Sequence, residues 1–232
     1  MEENNENNKI TYYQVKFIIV GDASVGKTNI YYRFVNGNFL SEYDPTVVVD
    51  YYYQDIEIED KLFSLQLWDT AGSEKYKSIT KGYYTNSACC ILVYDIEKED
   101  SFESINNWIN QVKLYSSNKI IFILVGNKYD LNETRKVSEI QGKTLALEYG
   151  MEFLEVSAKT GYNIDEIFNI ACQKIYENIN KGLYDDENKE GVKICSKYTS
   201  EFTQKKTFSL RTENNNNNMH YSIKKKKRKK CC

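Results

Sequence analysis

The sequence predicts an α/β fold in which helices cover both faces of a doubly wound, mostly parallel sheet of six strands with one antiparallel strand. Short apolar runs alternate with helical patterns across residues 13–180, which is the order of right-handed βαβ crossovers. Several runs are continuously apolar and β-branched, as in strands covered on both faces. One connection, residues 59–61, is too short for a crossover helix and predicts the antiparallel pair.

The elements follow one another in strand and helix order, and they predict one globular domain over residues 13–182. Apolar runs predict strands at residues 15–20, 46–58, 62–68, 88–94, 120–125 and 153–156. Helical patterns between them predict helices at residues 26–35, 74–84, 101–115, 137–149 and 163–179. The polar residues 1–12 predict a flexible N-terminus. Residues 183–232 have no helical or strand period and include a five-asparagine run, so we expect a disordered tail.

The net charge of −2 hides a strong asymmetry along the 232 residues. Residues 224–230, KKKKRKK, hold seven of the 31 cations, which leaves 24 cations against 33 acidic residues, or about −9, on residues 1–223. A nucleic-acid-binding face should itself be positive, so we expect no nucleic-acid partner. No apolar run approaches the ~20 residues of a membrane span, and MEENNENNKI lacks the character of a secretory signal.

The six cysteines do not predict a disulfide framework or a metal site, because no pair has metal-ligand spacing. Without a secretory signal, we expect a compartment that keeps thiols reduced. Cys89, Cys90 and Cys172 lie in apolar or helical patterns and are interpreted as packing residues. Cys231 and Cys232 end the chain, where nothing can pack, and they require another explanation.

The octapeptide GDASVGKT at residues 21–28 fits GxxxxGK[ST], directly after a predicted strand and at the start of a predicted helix. Backbone N–H groups of such a loop cradle the β-phosphate of a nucleotide. Lys27 would reach the β- and γ-phosphate oxygens, and Thr28 would offer a hydroxyl to Mg²⁺. The nucleotide-binding candidates here are Asp22, Ala23, Ser24, Val25, Gly26, Lys27 and Thr28.

The sequence WDTAG at residues 68–72 ends another predicted strand, where open α/β sheets bind ligands. Asp69 can hold the metal through a water molecule, opposite Thr28. Gly72 allows the backbone to approach the γ-phosphate closely. A DxxG motif alone is a weak signal, but its position after the phosphate loop in the chain makes it a strong candidate for a second part of the same site.

Two later motifs, NKYD at 127–130 and SAK at 157–159, also follow predicted strands. The Asp130 carboxylate can accept two hydrogen bonds from guanine, from N1–H and the 2-amino group, which adenine does not offer in that geometry. Such discrimination can reach ~10⁴-fold or more. The second motif can close the base pocket with a backbone N–H to the guanine oxygen. The base-binding candidates are Asn127, Lys128, Asp130, Ser157, Ala158 and Lys159.

With these four motifs in order, the sequence resembles the small GTPases of the Ras superfamily over roughly residues 13–180. The resemblance implies the P-loop small GTPase fold, GTP and GDP as ligands, and Mg²⁺. It implies that Thr46 binds Mg²⁺ and the γ-phosphate in the GTP state. It also implies switch loops at residues 40–51 and 70–84. By the same resemblance, Phe39 lies edge-on over guanine and Tyr43 belongs to the nucleotide site. The side-chain stems of Lys128 and Lys159 flank the base. The catalytic positions are occupied by Lys27, Thr46, Gly72 and Ser73.

Within the superfamily the chain is most similar to Rab proteins. The matching segments are LQLWDTAGSE, KYKSIT, LVYDI and the terminal double cysteine. The resemblance implies that Tyr51, Trp68 and Tyr83 form the interswitch aromatic triad that partners read. It implies a membrane-anchored switch in vesicle-mediated and intracellular protein transport that recruits effectors in its GTP state.

Ser73 stands where the family normally has a glutamine that orients the attacking water. A one-carbon hydroxyl side chain cannot span the same distance, so we expect very slow intrinsic GTP hydrolysis. In this family the missing glutamine can be replaced by a partner, since activating proteins of the TBC type supply both an arginine and a glutamine in trans. Val48 replaces a glycine that is usual in the Rab switch I pattern. It stiffens the loop or changes the choice of partner, and the sequence does not decide between the two.

The C-terminal Cys231 and Cys232 resemble the double-cysteine ending on which Rabs carry two geranylgeranyl chains. Two lipid chains, or one chain with a basic patch, give stable anchoring. A nuclear import signal and a plain solvated basic tail are the alternatives for residues 224–230.

The resemblance implies a nucleotide exchange factor, an activating protein, a GDP-dissociation inhibitor, a Rab escort protein and effectors as partners of a monomer. It implies the cytoplasmic face of endomembranes (Golgi, endosome or secretory vesicle), with a soluble cytosolic pool. Two rivals remain open: a GTP-loaded binding scaffold that does not depend on turnover, and a nuclear P-loop protein.

Overall fold

The structure is a computed structural model that describes residues 9–41, 50–69, 80–184 and 190–198. It confirms the expected fold class, since helices cover both faces of a mostly parallel sheet. The strands are β1 (Lys9–Val20), β2 (Asp50–Ile58), β3 (Lys61–Asp69), β4 (Cys89–Asp95), β5 (Ile121–Asn127), β6 (Glu152–Glu155) and β7 (Val192–Tyr198). The α-helices are α1 (Lys27–Asn36), α2 (Thr80–Tyr84), α3 (Glu99–Glu103), α4 (Ile105–Lys113), α5 (Glu139–Tyr149) and α6 (Ile164–Asn180), and a 3₁₀-helix spans Tyr129–Thr134.

The main path of the sheet has the strand order β2-β3-β1-β4-β5-β6. The two strands joined by the short connection, β2 and β3, are antiparallel, with Tyr51 opposite Trp68. The pairs β1–β3, β1–β4, β4–β5 and β5–β6 are parallel. The carboxyl ends of the parallel strands therefore meet at one edge of the sheet, and the loops that follow them converge there.

Two apolar clusters, one on each face of the sheet, form the core, and β4 contributes to both. Ile91 packs in the cluster that holds Tyr31 of α1 and Phe168 of α6. The next residue, Leu92, packs in the other cluster with Ile109 of α4. All seven residues of β4 are buried, as the continuous apolar run in the sequence predicts for a central strand.

Among the described residues the sheet has seven strands rather than the six expected, and the additional strand is β7. We expected no regular structure over residues 183–232, and that expectation is wrong for residues 192–198. The backbone N–H of Lys16 donates to the carbonyl of Gly191 at 2.8 Å, which joins the start of this segment to β1. Val192 is 4% exposed, whereas Ile194 is 54% exposed. Of residues 192–196, whose burial is described, Val192 is the one buried residue, so this part of the strand lacks the apolar pattern that would predict it.

Other boundaries differ from expectation by a few residues. β1 begins at Lys9, so residues 9–12 belong to a strand rather than to a flexible N-terminus. The helix expected at 101–115 is two helices, α3 and α4, that meet at Ser104. Residues 46–49 and 74–79, expected in β2 and in the helix before β4, lie outside the described residues, as does the tail from 199 onward. In the described part of the chain, no helix is long and apolar enough to cross a membrane.

Candidate functional site

The loop of residues 21–26 connects β1 to α1 at the carboxyl edge of the sheet. Gly26 caps the N-terminus of α1 with a φ of 98°, a backbone conformation that residues with a side chain rarely adopt. A Cβ at this position would overlap the side-chain amide of Asn127. Glycine at 26 therefore allows both the turn and the close approach of the loop from β5.

Lys27 folds back over this loop and is buried. Its Nζ donates to the carbonyl oxygen of Gly21 at 2.8 Å and to that of Asp22 at 2.6 Å. Burial lowers the pKa of Lys27 to about 8, with the charges of Asp69 and Asp22 acting in the opposite direction. The ammonium thus lies within a loop whose N–H groups suit phosphate oxygens.

Thr28 and Asp69, expected on opposite sides of a metal, are brought together. The Thr28 hydroxyl donates to the Asp69 carboxylate at 2.5 Å, and Asp69 is fully buried at the end of β3. A hydroxyl and a carboxylate are hard oxygen donors of the kind that Mg²⁺ prefers. The pair fits Mg²⁺ held by few protein ligands, with substrate phosphates completing the shell.

Asn127, at the end of β5, connects the phosphate loop to the base loops. Its Nδ2 donates to the carbonyl of Val25 at 2.8 Å, and its Oδ1 accepts from the N–H of Ala158 at 3.2 Å. The side chain is buried, so each of these bonds satisfies a polar group shielded from water. The sequence marks Asn127 as part of a motif, but this double attachment is visible only in the structure.

Asp130 is oriented by the other base loop. Ser157 Oγ donates to Asp130 Oδ1 at 2.6 Å, and Lys159 Nζ lies 3.7 Å from Asp130 Oδ2. The two motifs predicted to read a base therefore form one unit. A carboxylate with a fixed orientation can accept two parallel N–H donors, which is the arrangement that guanine presents.

Three residues that sequence reasoning missed hold the site together. Asp95, fully buried at the end of β4, accepts from Lys128 Nζ at 2.6 Å. Arg33 of α1 donates to the carbonyls of Ala158 and Lys159. Trp108 of α4 donates its indole N–H to Asp22 Oδ1 at 2.8 Å. Asp95 could have been predicted, because it is a carboxylate at the end of a predicted strand. Nothing in the sequence around Arg33 and Trp108 distinguishes them from other helix residues.

Of the remaining residues expected in the site, the structure describes some, and others lie outside the described residues. Phe39 lies just after α1 and is 39% exposed, next to Leu40, whose N–H donates to Asn29 Oδ1 at 3.0 Å. The phosphate loop, including Ala23 and Ser24, lies among the described residues, between the end of β1 and the start of α1 as the sequence predicts. Tyr43, Thr46, Val48, Gly72, Ser73, Cys231 and Cys232 lie outside the described residues.

The three aromatic residues Tyr51, Trp68 and Tyr83 contact one another in series. The ring centroids of Tyr51 and Trp68 are 4.9 Å apart, and those of Trp68 and Tyr83 are 5.9 Å apart, both in edge-on geometry. Sequence reasoning missed Lys16, whose Nζ lies 4.5 Å from the Trp68 ring centroid. The same ammonium donates to the carbonyls of Tyr83 and Thr85 at 2.7 and 2.9 Å, which fixes the triad from the β1 side.

Comparison with known proteins agrees with this geometry. The model of the Ras family matches residues 16–177. Ras-related protein Rab-2B of Dictyostelium discoideum is 42% identical over 183 residues, which cover 77% of this chain and 91% of that protein. Ras-related protein Rab-8B of Bos taurus is 37% identical over 196 residues, which cover 84% of this chain and 94% of that protein. The chain therefore belongs to the Rab family of the Ras-superfamily GTPases, which bind GTP and GDP with Mg²⁺ and hydrolyse GTP.

Proposed function

We propose that this chain is a membrane-anchored GTP/GDP switch that recruits effectors in its GTP state. As a Rab GTPase it acts in membrane trafficking, associates with endomembranes and works with exchange factors, activating proteins, a GDP-dissociation inhibitor and effectors. The observation that carries the proposal is the convergence of Lys27, the Thr28–Asp69 pair and Asp130 at one edge of the sheet.

In this proposal the phosphate loop and the base loops hold the two ends of the nucleotide. Residues 22–26 offer backbone N–H groups to the phosphates, and Lys27 moves its ammonium from loop carbonyls to the β- and γ-phosphate oxygens. Thr28 would ligate Mg²⁺ directly and Asp69 through water. Asp130 would read guanine, with Ser157, Ala158 and Lys159 closing the pocket and Lys128 flanking the base.

Hydrolysis needs a water molecule in line with the γ-phosphate and donors for the charge that develops there. Mg²⁺, when bound, would neutralise charge on the β- and γ-phosphate oxygens. Once it has moved to these oxygens, the Lys27 ammonium holds positive charge beside the transferring phosphoryl group throughout the reaction. We assign Thr46 and Gly72 to sensing the γ-phosphate. Ser73 lacks the length to orient the water, so intrinsic turnover should be very slow.

Single-turnover hydrolysis of bound GTP by the full chain tests this role of Ser73. The Ser73→Gln variant should hydrolyse GTP at least tenfold faster than the natural chain, because the longer amide can hold the water. A control variant, Ser73→Ala, should remain as slow as the natural chain. Equal rates for all three would mean that another residue positions the water.

Slow turnover also motivates a second candidate function. With Ser73 the chain could stay GTP-loaded and act as a binding scaffold whose interactions do not depend on turnover. Effector capture that is the same for GDP- and GTP-loaded protein would favour the scaffold. A TBC-type activating protein that restores hydrolysis, by supplying an arginine and a glutamine, would favour the switch.

We propose that two geranylgeranyl chains on Cys231 and Cys232, placed with a Rab escort protein, anchor the monomer to membranes. The lysines of residues 224–230 add attraction to an anionic leaflet, roughly 1 kcal/mol each at most. The proposed location is the cytoplasmic face of Golgi, endosome or secretory vesicles, with a cytosolic pool. Replacing both cysteines by serine should release the protein from membranes, and persistent membrane association would contradict the lipid anchor. Nuclear accumulation would favour the import signal.

A further inference from the structure

Tyr129 and Tyr162 stack on each other at the rim of the two base loops. Their ring centroids are 4.9 Å apart and their planes differ by 21°. Tyr129 directly precedes Asp130, and Tyr162 lies three residues after Lys159. The two rings therefore join the loop that carries Asp130 to the loop that would close over the base. They are 37% and 47% exposed, so packing of the core does not account for them.

The main chain of each tyrosine is also bonded to residues 156 and 157, which directly follow β6. The N–H of Tyr129 donates to the carbonyl of Val156 at 2.9 Å. The carbonyl of Tyr162 accepts from the N–H of Ser157 at 3.0 Å. Ser157 in turn holds Asp130 through its hydroxyl. The rings and the Tyr129–Val156 bond thus join the two loops at the same place, and the Ser157–Tyr162 bond fixes the shape of the second loop.

Both tyrosines neighbour residues in an unfavourable backbone conformation. Lys128, directly before Tyr129, has a φ of 72°, and Asn163, directly after Tyr162, has a φ of 55°. Such conformations persist when the surrounding contacts impose them. Lys128 is held by Asp95, and Asn163 donates to the carbonyl of Glu155 at 3.0 Å. The stack adds a side-chain contact directly beside Lys128, whose left-handed backbone conformation is uncommon for a lysine.

We propose that the Tyr129–Tyr162 stack is a clasp that slows nucleotide release by keeping the two base loops together. The proposal rests on the function proposed above for Asp130 and residues 157–159 in binding guanine. A nucleotide leaves from the base side only when these loops separate, and separation requires the rings to part. The tyrosines are positioning residues, since they act through Asp130 and Ser157. An aromatic pair of this geometry corresponds to about a two- to tenfold effect on an equilibrium or rate.

The proposal is tested by the rate at which a fluorescent GDP analogue dissociates from the full chain when excess unlabelled GDP is added. Tyr162→Ala and Tyr129→Ala should each release the analogue about three- to tenfold faster than the natural chain. The double variant should be no faster than the faster single variant, because either change removes the same contact. Tyr129→Phe and Tyr162→Phe keep the stack and should release within twofold of the natural rate.

A matched control variant is Tyr115→Ala. Tyr115 is 40% exposed and stacks on Tyr84, but it lies beyond the end of α4, at the opposite edge of the parallel strands. Its release rate should equal that of the natural chain. The acceleration in the clasp variants should be the same with Mg²⁺ and with chelator, because the clasp acts on the base side. Equal rates in all tyrosine variants, or equal acceleration in Tyr115→Ala, would overturn the proposal.

The Asp130→Asn variant separates failure of the clasp from failure of the proposed function. If Asp130→Asn lowers the preference for GDP over ADP but the alanine variants release normally, the clasp alone is wrong. If Asp130→Asn leaves that preference unchanged, the assignment of these loops to guanine is wrong, and the clasp fails with it. Circular dichroism melting in saturating GDP confirms that each variant is folded.

Discussion

The side-chain amide of Asn127 donates to the main-chain carbonyl of Val25 at 2.8 Å, joining the end of β5 to the phosphate loop. The same side chain accepts from the N–H of Ala158, so one buried residue contacts both the loop proposed to hold the phosphates and the loop proposed to close over the base. The two loops are therefore connected through the protein itself.

Replacing Asn127 by alanine should weaken both halves together. The change leaves a buried carbonyl and a buried N–H without their partner, which costs about 1–3 kcal/mol for each group. We expect at least tenfold faster GDP release and a lower melting temperature, measured by fluorescent-nucleotide chase and thermal denaturation. Asn106→Ala, the same change at an exposed position of α4, is the control and should neither accelerate release nor lower the melting temperature. A normal release rate in Asn127→Ala would contradict the connection.

Lys27 should make nucleotide binding depend on pH. Burial lowers the pKa of Lys27 to about 8, and bound phosphates favour its charged form, so binding raises that pKa again. Free protein near pH 8 is then partly deprotonated at Lys27, and it takes up a proton when GDP binds. Affinity should fall as the pH rises above about 8, by up to tenfold per pH unit.

Calorimetry of GDP binding at pH 8, in buffers of different ionisation enthalpy, measures this proton uptake directly. The proton uptake that Lys27 contributes, taken as the difference between the natural chain and Lys27→Ala, should be about half a proton per nucleotide at pH 8 and close to none at pH 6.5. The Lys27→Ala variant should bind more weakly without the proton uptake. Heats that do not differ between buffers would show that Lys27 is already fully charged in the free protein.

Gly191 should be needed for β7 to stay on the sheet. Its φ is 79°, and a Cβ would lie 2.6 Å from the carbonyl oxygen of Asn86 and would overlap the backbone N–H of Ala88. Gly191→Ala should displace the segment, break the bond from the N–H of Lys16 and expose Val192. We expect a loss of about 2–4 kcal/mol in the free energy of unfolding, measured with urea.

Gly182→Ala is the matched control for this change. Gly182 has a similar φ of 69° but has no atom near the position of a Cβ, so its substitution costs only the backbone strain. Hydrogen exchange at the Lys16 amide should accelerate in Gly191→Ala and not in Gly182→Ala. Equal effects in the two variants would mean that the fit against Asn86 and Ala88 contributes nothing.

Lys16 should hold the aromatic triad in place. Lys16→Met keeps the apolar stem but removes the donors to the carbonyls of Tyr83 and Thr85 and the charge over Trp68. We expect the free energy of unfolding to fall by about 1–3 kcal/mol and the emission of Trp68 to change. Lys193→Met, on an exposed lysine of β7, is the control and should change neither. Unchanged emission in Lys16→Met would contradict the contact with Trp68.

The sequence predicted the fold class and the phosphate and base motifs because these depend on local pattern. A buried parallel strand is apolar along its whole length, as β4 is, and a phosphate loop is a contiguous run of eight residues. The strand β7 was not predicted because, among residues 192–196, Val192 is the one buried residue and the sequence there has no alternating apolar pattern. The roles of Arg33 and Trp108 were not predicted because their hydrogen-bond partners, Ala158 and Asp22, are far away in sequence.

By itself, then, the sequence determined the class of the sheet, the family and the four motifs from which a guanine-nucleotide site is proposed. Only the tertiary structure decided how those motifs are joined, through Asn127, Arg33 and the Tyr129–Tyr162 stack. Motifs are local because loop shape and strand burial depend on neighbouring residues. The contacts between motifs depend on which strand ends lie side by side, and that order is a property of the folded sheet.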